Sequence, residues 1–197
     1  MRAGKEEHGE GPRQGAVVGV ISDTHGYLDP RVPELFAGVE HIVHAGDVGD
    51  MAVVEKLAQV APVTVVSGNM DRSAGPEVAG LPSAAQVDIA GLRFLVAHIK
   101  DYVLRTWDPA EYGVAVVLCG HTHRAAIEER DGVLYVNPGV AGRAPAGVAR
   151  SIAFIEIVDG RPRARIVPLD ERAPASRGAR AGRARERTEG HGRGGRI

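Results

Sequence analysis

The stretch "VAVVLCGHTHR" (residues 114–124) decides how the rest of the chain is read. Its first seven residues form a near-continuous apolar run rich in valine, the pattern of a strand covered on both faces. It then closes on two histidines two residues apart, His121 and His123, so polar ligand-type groups sit where a buried strand reaches its edge. Four more runs share this form: "AVVGVIS" (16–22), "HIVHAG" (41–46), "PVTVVSG" (62–68) and "LRFLVA" (92–97). Polar, helix-capable segments around 31–37, 51–59 and 102–112 separate several of them, and this alternation predicts an α/β fold with much of its sheet parallel. Beyond residue 125 the texture changes to hairpins, with Asp131-Gly132 and Asp159-Gly160 as the turn dipeptides. Two sheets stacked face to face and flanked by helices accommodate both halves.

Bulk composition bounds the functional class. The 197 residues, 44% hydrophobic and 25% charged, allow one ordinary globular domain. No apolar run approaches the roughly 20 residues that cross a bilayer, so no membrane partner is expected. The first fifteen residues lack the apolar stretch of a secretory signal, and Cys119 is the single cysteine, so a reducing, cytoplasmic setting is expected. Charge is uneven. Residues 171–197 hold eight arginines against three glutamates, a formal +5, which leaves −6 for residues 1–170 out of the total of −1. Residues 1–15 and 171–197 are expected to be disordered tails around a domain spanning 16–170. The sequence specifies no oligomeric state.

The residue following each apolar run carries the chemistry. Asp23 and His25 follow the first, Asp47 the second, Asn69 the third, His98 the fourth, and His121 and His123 the fifth. In open α/β sheets, ligands gather outside the carboxyl ends of parallel strands, so folding is expected to bring all seven to one rim. Seven desolvated carboxylate, amide and imidazole groups need compensation, and a cation is the simplest source. The set exceeds one tetrahedral zinc site and suits two ions about 3.5–4 Å apart. Oxygen and imidazole donors without thiolate fit manganese, the expected occupant, and equally nickel, iron, zinc or cobalt. In Asp-x-His and His-x-His, alternate side chains of an extended segment would face the same way. Gly46, Gly68 and Gly120, each one residue before a ligand, are expected to permit sharp turns there. Neither a Walker phosphate loop nor a nucleophilic serine elbow is present in the sequence.

"DTH" (23–25), "GDVGD" (46–50), "GNMD" (68–71), a strand ending in His98, and "GHTH" (120–123) together resemble the motif series of the calcineurin-like metallophosphoesterases, and in particular the small YfcE-like phosphodiesterase branch. The resemblance covers about Val17 to Leu169. It implies a four-layer αββα sandwich with a dinuclear centre that hydrolyses phosphate esters through a metal-activated hydroxide. Carried over, Asp23, His25 and His123 would hold one ion, and Asn69, His98 and His121 the other, with Asp47 bridging. It marks Asp47, Asn69 and His98 as catalytic as well as ligating, and "NPG" (137–139) as a loop beside the site.

Three positions depart from the family pattern. Met70 stands where many members place a histidine general acid, and a thioether cannot donate a proton. The YfcE-like branch often lacks that histidine, which points to phosphodiesters or activated leaving groups. Ile99 follows His98 where a glycine is usual, and Val140 follows "NPG" where a serine is common. Arg72 and Arg143, with Lys100 and Arg124, lie just after motifs and are candidates to bind the phosphate. Two alternatives stand beside the phosphodiesterase: a non-catalytic interaction scaffold on the same fold, for which such relatives tend to lose ligands, and a nuclease whose basic tail captures nucleic acid.

Overall fold

The computed structural model describes residues 15–106 and 108–170, so the expected tails at 1–15 and 171–197 lie, apart from Gly15, outside the described residues. Ten strands form two five-stranded mixed sheets. In the first, β1 (Ala16–Ile21), β2 (His41–His44) and β3 (Val63–Val65) run parallel, and β9 (Ser151–Val158) with β10 (Arg161–Pro168) adds an antiparallel hairpin beside β1. In the second, β5 (Leu92–Ala97), β6 (Val114–Leu118) and β8 (Val133–Asn137) run parallel, flanked by antiparallel β4 (Ala84–Ile89) and β7 (Ala126–Arg130). Each sheet therefore contains one parallel trio.

Strand alternation builds the layers. Val18 and Val20 of β1, Val43 of β2, Phe94 and Val96 of β5, Val116 and Leu118 of β6, and Ile155 of β9 point between the sheets and fill a buried common core. Ile21, Ile42 and Phe154 face outward from the first sheet and pack beneath α1 (Val32–Leu35) and α2 (Met51–Ala58). Gly19 leaves room there for Phe36, since a Cβ on it would lie 2.8 Å from the Phe36 ring. Leu95, Val117 and Tyr135 face outward from the second sheet and receive Val103 of α4 (Lys100–Thr106). The result is the expected αββα sandwich. Asp50 caps α2 by accepting from the Ala52 N–H at 2.9 Å, and Val53 and Leu57, one turn apart, bury its inner face.

The two Asp-Gly turns are as read, with positive φ at both residues of each, the geometry of hairpin turns that follow strand twist. The third hairpin, β4–β5, turns at Ala90-Gly91 with the same signs. Alanine is a poor marker for that turn, and β4 is an edge strand of mostly half-exposed residues, so no strand was expected there. The helix expected over 102–112 is shorter, since α4 ends at Thr106 and Pro109 opens a turn region. The C-terminal hairpin does not join its neighbour β7–β8 but returns to the first sheet, pairing β9 with β1. No helix among the described residues is long and apolar enough to cross a membrane.

Candidate metal centre

All five loops that leave the parallel trios with ligand-type residues converge on one rim. Asp23 Oδ1 lies 3.2 Å from His123 Nε2 and 4.0 Å from His98 Nε2. His98 Nε2 lies 3.3 Å from Asp47 Oδ2 and 3.2 Å from Asn69 Oδ1. His25 and His123 bring their Nε2 atoms to 3.4 Å, and the His121 ring stands 5.3 Å from that of His98. Two groups of donor atoms emerge, Asp23–His25–His123 and Asp23–Asp47–His98, each within 4.8 Å. The carboxylate common to both is Asp23.

The backbone delivers these groups in an unexpected way. Asp23, His25, Asp47, His121 and His123 all have φ between 47° and 70°, the left-handed region that most residues avoid. The Asp23/His25 and His121/His123 pairs therefore do not sit on extended segments, contrary to the pleat argument; each of the four residues has left-handed backbone, which re-aims it toward the centre. Five such residues in one place is the clustering of strain found at functional sites. The glycines also act differently from expectation. Gly46 does have positive φ, but Gly68 and Gly120 do not, and what they supply is space. A Cβ on Gly68 would meet Asp47 Oδ1 at 2.0 Å, and one on Gly120 would meet Asp23 Oδ2 at 2.7 Å.

A frame of buried hydrogen bonds holds the loops in place. Asp71, fully buried, accepts from the N–H groups of Val48 (3.1 Å), Gly49 (2.8 Å) and Gly68 (2.7 Å), tying the Asp47 loop to the Asn69 loop. The His44 chain has only one consistent direction. The Gly46 N–H donates to Nδ1, Nε2–H donates to Thr24 Oγ1, and that hydroxyl donates to the Val48 carbonyl. Burial pushes the His44 imidazole down to about 4, so it is neutral near pH 7. Asn137 Nδ2 donates to the Gly120 carbonyl at 2.7 Å, which joins "NPG" to "GHTH". Where Val140 lacks a hydroxyl, Ser151 Oγ donates to the Pro138 carbonyl and Ser22 Oγ lies 2.9 Å from that of Gly139. Asp71 was legible only as a neighbour of a ligand, and Asn137 only as part of a loop motif; Ser22 and Ser151 carried no signal.

The electrostatics point to a missing positive charge. Asp23 Oδ2 receives Ser22 Oγ at 2.6 Å and the His121 N–H at 3.2 Å, but Oδ1 is buried with no hydrogen-bond partner. Burial raises the Asp23 carboxyl above the ordinary range. His98 donates Nδ1–H to the Ala45 carbonyl at 2.8 Å, which leaves Nε2 to face the oxygens of Asp47 and Asn69. Burial opposes charge on His98, but the Asp47 carboxylate outweighs it and raises the imidazole. Asp47 itself is buried, yet His98 and the Met70 N–H at 2.8 Å hold its carboxyl below the usual value. An orphaned buried acceptor, with an imidazole nitrogen crowded by carboxylate and amide oxygens beside it, fits a bound divalent cation.

Substrate-facing candidates separate. Arg72 lines a cavity of about 190 Å³ together with Asn69, His98, Ile99 and Tyr102. A second cavity of about 210 Å³ is lined by His121, and Ile99 lines both. Lys100 pairs with Glu128 and lies over the Tyr135 ring, so it is committed to a protein carboxylate. Arg143 stands over Tyr27 in a separate groove, and Arg124 is exposed. Cys119 is buried, its thiol pushed up to about 11, a small core residue as expected.

The chain belongs to the calcineurin-like phosphoesterase superfamily, whose domain matches residues 17–160. A probable metallophosphoesterase of Methanocaldococcus jannaschii is 32% identical over 167 residues, covering 79% of this chain and 82% of the relative. Among solved structures, a novel archaeal phosphodiesterase matches at TM-score 0.60 with 26% identity, covering 78% of this chain and 99% of its own. Vacuolar Protein Sorting 29 from Cryptosporidium parvum shares the fold at TM-score 0.61 and 22% identity, covering 80% and 99%.

Proposed function

We propose that this protein is a cytoplasmic metal-dependent phosphodiesterase with two divalent cations, manganese foremost. The observation that carries the reading is the orphaned, buried Asp23 Oδ1 facing two imidazole nitrogens. Asp23, His25 and His123 would hold one cation, Asn69, His98 and His121 the other, with Asp47 bridging; the pairing of His123 with Asp23 and of His121 with His98 supports that division. When bound, the cations supply Lewis-acid polarisation of phosphoryl oxygens and a water acidic enough to attack near neutral pH.

The chain's own residues then position the reaction. The Nδ1–H bond to Ala45 orients His98, and Asp71 fixes Asp47 relative to Asn69. Arg72, beside Asn69 and His98, is placed to neutralise a non-bridging phosphoryl oxygen. The Met70 thioether is exposed and donates nothing, while its backbone N–H holds Asp47 Oδ1. With no side-chain acid at that position, a stable leaving group is favoured, and the two cavities flanking Ile99 leave room for two ester arms. Purified, manganese-loaded protein is expected to hydrolyse bis-nitrophenyl phosphate. Failure across manganese, nickel, iron, zinc and cobalt, with no ion retained, would leave the fold as an interaction scaffold.

A further inference from the structure

The two cavities beside the metal centre differ in charge. The one of about 190 Å³ is lined by Arg72 and, among the described residues, by no carboxylate. The one of about 210 Å³ is lined by Lys100, Asp101 and Glu128, one cation against two carboxylates. Both reach the rim, since Asn69 and His98 belong to the wall of the first, His121 belongs to the wall of the second, and Ile99 lines both. A diester seated at the centre therefore meets one cavity of each sign.

Tertiary folding sets the negative sign. Lys100 opens α4 two residues after the ligand His98, where alone it would present an ammonium to an incoming anion. Glu128, in the middle of β7 and 28 positions further along the chain, pairs with it. Lys100 Nζ also stands over the ring of buried Tyr135, 5.0 Å from its centre, so the ammonium is held between a carboxylate and an aromatic face. Its charge is cancelled by Glu128, and the charge of Asp101 is left over. The pair is only partly buried, so salt weakens this field without reversing its sign.

We propose that this difference sorts the arms of an asymmetric phosphodiester, holding an anionic arm on the Arg72 side and admitting an uncharged or cationic arm to the Glu128 cavity. Glu128 is then a specificity-determining residue, because it turns Lys100 from an anion-binding group into part of a wall that refuses anions. A diester with an anionic group on both arms has no place for the second. The inference rests on the phosphodiesterase reading and narrows the substrate class of that site to diesters with at most one anionic arm.

The test uses the full manganese-loaded chain, Glu128→Gln and Lys100→Met. Substrates are bis-nitrophenyl phosphate, its analogue with a carboxylate on both rings, and the mixed diester with a carboxylate on one ring, each referenced to its own alkaline hydrolysis. For the native chain, kcat/KM on the dicarboxylate is expected to lie about tenfold below that on bis-nitrophenyl phosphate. Glu128→Gln should narrow this gap to about threefold, and Lys100→Met should widen it by about threefold. Both substitutions break the same ion pair, so a merely structural role would move the gap in one direction. In the mixed diester water can displace either nitrophenol at phosphorus, and the ratio of the two products reports how the arms are seated. That ratio should depart about fivefold from the alkaline one in the native chain and return toward it in Glu128→Gln. Raising salt from about 20 to about 500 mM should shrink each difference. A dicarboxylate cleaved within twofold of bis-nitrophenyl phosphate, a product ratio equal to the alkaline one, or variants that shift the gap in the same direction would overturn the proposal. A chain that cleaves none of the three contradicts the phosphodiesterase reading instead. Calorimetric binding of the uncleaved diesters then decides: weaker binding of the dicarboxylate, with the gap closing in Glu128→Gln, upholds the charge filter, and equal affinities overturn it.

Discussion

Two buried clusters of charge stand among the described residues, and they are built on opposite principles. Around Asp29 each carboxylate oxygen meets a guanidinium, and Arg150 divides its donors between Asp29 and Asp170. The Asp29 carboxyl is accordingly held far below the ordinary carboxylate range, with the Arg31 hydrogen bonds as the main cause. Around Asp23 no guanidinium or ammonium of the described residues answers the carboxylate: Oδ2 accepts from Ser22 Oγ and the His121 N–H, Oδ1 has no hydrogen-bond partner, and burial drives its carboxyl upward. A cluster that balances its own charge is structural; one left unbalanced, on five left-handed residues, is completed by something from outside.

Breaking either cluster should therefore produce different losses. Asp23→Ala is expected to reduce phosphodiesterase activity about 1,000-fold, equivalent to roughly 4 kcal/mol of transition-state stabilisation. Thermal denaturation of the metal-free variant should show no loss of stability, because an orphaned carboxylate has been removed. Asp29→Ala should do the reverse. It is expected to cost about 2 kcal/mol of stability by urea denaturation, since it leaves two arginines without their buried partner, while metal affinity is retained.

The frame residues sharpen the contrast. His44 stays neutral in the folded protein down to about pH 4, whereas an exposed histidine titrates near 6.5. The unfolded chain then binds a proton that the folded one refuses, so His44 contributes stability above pH 6.5 that is lost as pH falls toward 4, by about 3 kcal/mol in all. His44→Gln should flatten that window in urea titrations of metal-free protein. Asp71→Ala should weaken metal affinity 10- to 100-fold by calorimetry through released loops, with partial recovery in Asp71→Asn, whose carbonyl still accepts. Ile99→Gly, which removes a side chain lining both cavities, should change KM for bulky diesters by a few-fold and leave metal content as it was.

Much of the uncompensated cluster was legible in the sequence because its logic is local: an apolar run, then a ligand-type residue, five times over. The two Asp-Gly hairpins were legible for the same reason. The Asp29–Arg150–Asp170 network was not, since it joins residues up to 121 positions apart that carry no motif, and Arg150 looks like any surface arginine until the chain folds. Lys100 shows the converse error. Its place beside a motif made it a phosphate candidate, but Glu128, distant in sequence, claims it. The left-handed backbone at the ligands was hidden as well, because Asp and His permit that conformation without announcing it.

Metal content after equilibrium dialysis of the full chain against manganese tests the central claim most directly. About two ions per native chain, falling to one or none in Asp23→Ala and unchanged in Asp29→Ala, is the predicted result. A native chain that emerges with no manganese, nickel, iron, zinc or cobalt under any loading condition would contradict it.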